Sequence, residues 1–191
     1  SNSYQIIDEK TWPREMHCMV FRNSIEPAFC VTFEADITNF RRVVKESGLS
    51  FTLAMVYAVA SGANEVEAFR YRFVDGNVVL FDRINTAFTY LNKGTDLFKV
   101  VNVPMIDGLK EYCKLASKTA EEQKEYFTGS LGNDVFNVPD AVGEHIHIFT
   151  HTNSGEEKTN ATPLFDWGKY YEKDGKTLIP VSVQAHHSFV D

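Results

Sequence analysis

The chain has 191 residues, 43% of them hydrophobic and 24% charged, with a net charge of −7, which is enough for one ordinary domain with a packed core. No Lys/Arg-rich run offers the basic face that a nucleic-acid partner needs. No apolar run reaches the ~18 residues of a membrane-spanning helix, and no signal peptide opens the chain, so the expected setting is the cytoplasm.

In chain order, residues 12–22 form a short amphipathic segment after Trp12-Pro13. Residues 27–35 alternate and are β-rich, which predicts a strand. Asp36 and Thr38 offer cap oxygens for a helix through Glu46, closed by Gly48. Ser50 can cap a second helix, 51–64, whose apolar character nearly all round predicts burial. In residues 68–83 two β-rich runs flank Asp75-Gly76, the dipeptide that favours a type I′ hairpin. A strand is expected over 86–92 and a helix over 107–127, with Glu–Lys pairs on its wet face. Residues 145–152 alternate as a strand. The last strands, 161–171 and 177–186, are joined by Lys173-Asp174-Gly175. Strands and helices without regular alternation give an α+β fold, with a mixed, largely antiparallel sheet flanked by helices. Cys18, Cys30 and Cys113 are odd in number and match neither zinc nor redox spacings, so they are expected as reduced thiols.

The chemical signal sits in the run Val181-Ser182-Val183-Gln184-Ala185-His186-His187-Ser188-Phe189-Val190-Asp191. A β-rich run delivers paired histidines, with a carboxylate four residues after the second. Imidazole titrates near neutrality, as a general base must. The carboxylate can orient a histidine, or it can pair with a basic residue and hold the loop. Alone, this pattern is weak, because a single histidine at a strand end is more often structural.

The rest of the chain adds to it. HHSFVD resembles the HHxxxDG signature of the chloramphenicol acetyltransferase family, which acyltransferase cores of 2-oxoacid dehydrogenases share more loosely. Pro163 to Tyr171 and Asp174 to Gln184 resemble that family's run into its histidine pair, and Trp12-Pro13-Arg14 resembles its W-x-R motif. Phe29 to Asp36, Phe69-Arg70, Asp75-Gly76 and Thr95 to Phe98 fall where the family has equivalents. The likeness runs collinearly over nearly the whole chain.

That resemblance implies a direct transfer of acetyl from acetyl-CoA, as co-substrate, to a hydroxyl of a small acceptor, chloramphenicol or a related compound. His187 matches the general base and His186 the non-catalytic first histidine. Asp191 and Arg14 match an ion pair that holds the catalytic loop. Tyr170 matches an aromatic that stacks on the adenine of CoA, and Lys169 a lysine near the nucleotide phosphate. Phe21, Thr89 and Phe98 match acceptor-pocket positions. The family forms homotrimers with active sites at subunit interfaces, so His187 is expected to meet a neighbour's Phe21 and Phe98. No metal is implied.

The sequence also departs from the pattern. The family's oxyanion serine aligns with Pro139, and Gly143 stands for its tryptophan. Proline has no side-chain donor. Val20 and Ala87 stand where larger or polar groups are usual, and Asp166 replaces a threonine. The chain reads as one domain that stops at Asp191, short of the family's carboxy-terminal helix. These departures keep a second reading in play: a catalytically degenerate homologue that binds CoA or a small ligand. A zinc site on His145, His147 and His151 is a third, but these positions span too far on a straight strand at ~3.3 Å per residue.

Overall fold

A computed structural model describes residues 3–92, 94–126, 128 and 161–191, together with the backbone of 135–138. Strand β1 (Tyr4–Ile6) is followed by helix α1 (Glu15–Arg22), strand β2 (Ala28–Asp36), helix α2 (Thr38–Glu46) and helix α3 (Phe51–Glu65). A 3-10 turn, Glu67–Arg70, leads into β3 (Tyr71–Val74) and β4 (Asn77–Phe81). Then come β5 (Asn85–Leu91), β6 (Phe98–Val103), α4 (Leu109–Glu122) and β7 (Val135–Val138). The chain closes with β8 (Leu164–Trp167), β9 (Tyr171–Lys173) and β10 (Lys176–His186). The expected strand at 145–152 lies outside the described residues, as do Pro139, Gly143, His145, His147 and His151.

Among the described residues the larger sheet runs β2-β10-β8-β7-β5-β6, with β9 also paired to β10. Its pairings are antiparallel except β5–β7 and β7–β8, which are parallel. The fold is therefore α+β with a mixed, largely antiparallel sheet. The strand predicted over 161–171 is two strands. β8 and β9 lie successively along β10, and the chain breaks between them where the Gly168 amide turns to the Pro180 carbonyl, 3.0 Å away. A smaller sheet, β1-β4-β3, holds the first predicted hairpin. Asp75 and Gly76 have φ of 50° and 79°, and Asp174 and Gly175 have 50° and 75°. Both turns thus need two successive left-handed residues, and Asp-Gly supplies them with least strain.

Local chemistry also sets the helix ends. The Ser50 hydroxyl accepts from the Leu53 amide and caps α3. Asp36 acts one step earlier than expected: its Oδ1 accepts from both the amide and the hydroxyl of Thr38, and the cap residue of α2 is Ile37. Helix α4 is shorter than 107–127, because Gly108 precedes it at φ 95° and Gln123 leaves it in extended backbone.

Helices α3 and α4 cover β5 and β6, and α2 packs on α3 and β10. Leu53, Ala54, Val56, Ala60 and Ala63 of α3 pack with Phe88, Val101, Val103 and Tyr112 in the main core. Each large side chain buried there stabilises the fold by roughly 1.5–3 kcal/mol. The buried Tyr112 hydroxyl lies 2.6 Å from Thr86 Oγ1, so its polar end is satisfied, and burial pushes its pKa up. A separate cluster joins Cys18 of α1, Tyr71, Phe73 and Val78 of the hairpin, and Phe189 beyond β10, with Trp12 packed against it. This cluster is the floor beneath the paired histidines.

Candidate active site

β10 pairs with β2 over nine consecutive positions, from Leu178↔Asp36 to His186↔Ala28. It then ends in a turn, residues 187–190, whose backbone groups have partners on several sides. The His187 amide donates to the Pro27 carbonyl at 2.9 Å. The Ser188 amide donates to Nδ1 of His186 at 3.0 Å. The amides of Phe189 and Val190 both donate to the His186 carbonyl at 3.0 Å. Arg14, the cap residue of α1, holds the other side. Its Nη2 donates to the His187 carbonyl at 2.8 Å and its Nε to the Ser188 carbonyl at 2.7 Å.

The same guanidinium grips Asp191 through two parallel bonds, Nη1–Oδ2 and Nη2–Oδ1, each 2.8 Å. Only a planar fork can serve two carbonyls and both carboxylate oxygens at once, so lysine could not substitute. The hydrogen bonds to Arg14 hold the Asp191 carboxyl below its usual range, and the same bonds raise the Arg14 guanidinium. Asp191 is 71% exposed, so water screens this pair and its value lies in geometry more than in stability.

The turn sets the His187 ring against two aromatics. Phe29 stacks on it at 4.1 Å between centroids and 23° between planes, and Phe21 at 4.7 Å and 29°. Both come from the same chain. This corrects the expectation that a neighbouring subunit brings Phe21 to His187: the three-residue reach from Cys18 to Phe21 on α1 already delivers it. His187 Nδ1 is buried and makes no hydrogen bond among the described residues.

His186 points the other way, into the floor, and is 4% exposed. Burial, with a smaller contribution from His187, drives its pKa down to about 4, so the ring is neutral near pH 7.

The remaining predicted residues lie elsewhere. Lys169 and Tyr170 occupy the loop between β8 and β9, and Lys169 is exposed. Tyr171 pairs with Leu178, nine residues before His187, so about 30 Å of strand separates the two ends. A ligand that joins them must be long. Tyr170 is framed by the Phe51 ring edge at 5.2 Å and the Arg41 guanidinium at 4.6 Å. Thr89 on β5 and Phe98 on β6 stand at least three strands from β10, roughly 14 Å or more across the sheet. They are not brought to this chain's own His187. An apolar cavity of about 490 Å³ lies between α3 and the sheet, lined by Phe33, Phe40, Met55, Val59, Ile179 and Val181. Phe21, Phe29 and His187 do not line it.

Phe29 and Ser188 were not singled out from the sequence. Phe29 belongs to the alternating run 27–35, and register Ala185↔Phe29 puts it on the face that His187 meets. The Ser188 hydroxyl donates to the Cys18 carbonyl at 2.9 Å, a bond with no signature in sequence.

A model of the chloramphenicol acetyltransferase family matches residues 2–191. The chain belongs to the chloramphenicol acetyltransferase family. Its members are acyltransferases, and so is this protein. Chloramphenicol acetyltransferase 2 of Escherichia coli is 28% identical over 97% of this chain and 88% of its own length. Chloramphenicol acetyltransferase 2 of Haemophilus influenzae is 26% identical over the same shares. A solved chloramphenicol acetyltransferase superposes with a TM-score of 0.82 at 26% identity, covering 99% of this chain and 92% of that one. A probable dihydrolipoamide acetyltransferase from Listeria monocytogenes shares the fold at a TM-score of 0.60 and 16% identity, covering 92% and 82%. No helix among the described residues is long and apolar enough to cross a membrane.

Proposed function

We propose that the protein moves an acetyl group from acetyl-CoA to a hydroxyl of chloramphenicol or a closely related acceptor, with His187 as general base. The observation that carries this reading is the clasped turn. It gives one imidazole a fixed orientation between aromatic rings, with Nδ1 buried and Nε2 left to meet an acceptor. His187 takes the proton as the acceptor oxygen attacks the thioester carbonyl carbon. The tetrahedral intermediate collapses, the C–S bond breaks, and the thiolate of CoA leaves and regains the proton. Positioned base catalysis is worth ~10²–10⁴-fold.

Arg14 and Asp191 hold this turn and do not touch substrate. Tyr170 offers a face to the adenine and Lys169 a charge to the nucleotide phosphate, and a CoA molecule has the length that their separation from His187 demands. Thr89 and Phe98 serve the acceptor pocket of a neighbouring subunit in a homotrimer. Met16, Met19 and Val20 on α1 and Val31 and Phe33 on β2 support that assembly, since all are at least 49% exposed. β2 is also an edge strand among the described residues, a form that invites pairing with another chain. The free thiols Cys18, Cys30 and Cys113 fit a reducing, cytoplasmic setting.

The test is acetyl-CoA turnover, followed with a thiol reagent over a panel of hydroxyl acceptors that includes chloramphenicol. Acceptor-dependent CoA release supports the reading. CoA binding without release on any acceptor overturns it in favour of the degenerate homologue. Light scattering that gives a trimer mass supports the shared site, and a monomer mass removes it.

A further inference from the structure

We propose that His186 is a positioning residue: its Nδ1, by accepting the Ser188 amide, fixes the turn that carries His187. This inference rests on the reading of His187 as the base.

Ser188 is fully buried, and three different residues satisfy its polar groups. Its amide goes to the His186 imidazole, its carbonyl to Arg14, and its hydroxyl to the Cys18 carbonyl. It is the residue next to His187, so its orientation determines the backbone from which the His187 ring projects. A buried amide left without an acceptor seeks another one, and the turn would move to find it. The His186 side chain therefore does for this turn what an Asx side chain does when it accepts an amide two residues on.

The other end of the ring argues the same way. Because Nδ1 accepts, the neutral ring carries its proton on Nε2. That nitrogen is buried without a hydrogen-bond partner among the described residues, beside the rings of Phe73 and Phe189. A residue that merely filled this space would be better as leucine or phenylalanine, since an unsatisfied buried donor is destabilising. The ring tolerates that because its far nitrogen is needed.

The experiment compares His186→Asn, His186→Gln and His186→Leu with the parent enzyme and with His187→Ala. Asparagine sets its oxygen near the place of Nδ1, and glutamine sets its own near Nε2. Asparagine is expected to keep kcat within about threefold. Glutamine and leucine are expected to lower kcat by about ten- to a hundredfold, as misplacement of a reacting group does, with KM for acetyl-CoA unchanged. NMR of the His187 Cε1 proton supplies a readout that needs no turnover, because Phe21 and Phe29 stack on that ring and shift its resonance upfield. The shift should persist with asparagine and collapse with glutamine and leucine. Equal kcat and equal ring shifts in all three variants would overturn the positioning role. Turnover that survives His187→Ala would instead overturn the base assignment, and the NMR comparison would still decide the role of His186.

Discussion

The two ends of β10 are built by opposite rules. At its carboxy end the turn 187–190 lies over a buried cluster, is gripped by Arg14 on both its early carbonyls, and has its amides satisfied by Pro27 and His186. At its amino end the partner strand Tyr171–Lys173 is exposed throughout and Lys169 lies on the surface. The contrast follows from what each end does under the proposed reaction. A proton must be taken within a hydrogen-bond length, which tolerates no slack. A nucleotide is held by stacking and charge, which tolerate small motions and work at a rim. Order is concentrated where geometry limits rate.

The widest separation between the two ends should come from His187→Ala. Turnover is expected to fall by at least 10²–10⁴-fold, while CoA binding by calorimetry stays within a few-fold. Survival of turnover within tenfold removes His187 as base. Next in size is Pro139→Ser. With Pro139 aligned in sequence with the family's oxyanion serine, a hydroxyl at this position is expected to raise chloramphenicol turnover by up to ~10²–10³-fold. A parent enzyme that already runs at ordinary rates of ~1–10³ s⁻¹ would mean that another group donates.

Acid should loosen the rigid end. The pKa of His186 is lowered from 6.5 to about 4 in the folded chain, so the unfolded state binds more protons between those values. Stability present above pH 6.5 is then lost as pH falls through that window, by at most ~3 kcal/mol. Denaturant midpoints in His186→Leu should lose this dependence while keeping the rest of the acid limb. Tyr170→Ala tests the rim. KM for acetyl-CoA is expected to rise about tenfold, as loss of a base–aromatic stack implies, with kcat unchanged. A kcat effect of similar size would mean that the two ends are coupled. The smallest effect is expected from Asp191→Asn. The exposed carboxylate is stabilised by Arg14, so its contribution is present above the ordinary carboxylate pKa and lost as pH falls through its depressed one. Tm at pH 7 should drop by less than about 5 °C, and the acid sensitivity from this pair should disappear.

Much of this was legible from residues alone, and the exceptions have causes. Asp-Gly at 75–76 and 174–175 announced both hairpins, because two left-handed residues in a row leave little other choice. Ser50 announced α3. The strand β6 was missed because its buried positions are Lys99, Val101 and Val103. A lysine on the inner face breaks the expected alternation, and only the fold reveals that its ammonium reaches the Gln123 carbonyl at 2.7 Å. β1 has three exposed residues and exists because β4 offers it an edge. In the site, the histidine pair and Arg14 were visible as motif. Phe29 was not, since its role depends on strand register, and Ser188 was not, since its partners are set by tertiary packing.

Arg14 and the residues it holds are 173 to 177 positions apart in sequence. The first helix therefore meets the turn it organises only across a loop of at least 173 positions. Closing so long a loop is slow compared with forming the local hairpins. The orientation of the His187 ring therefore depends on a contact that no local segment can make by itself.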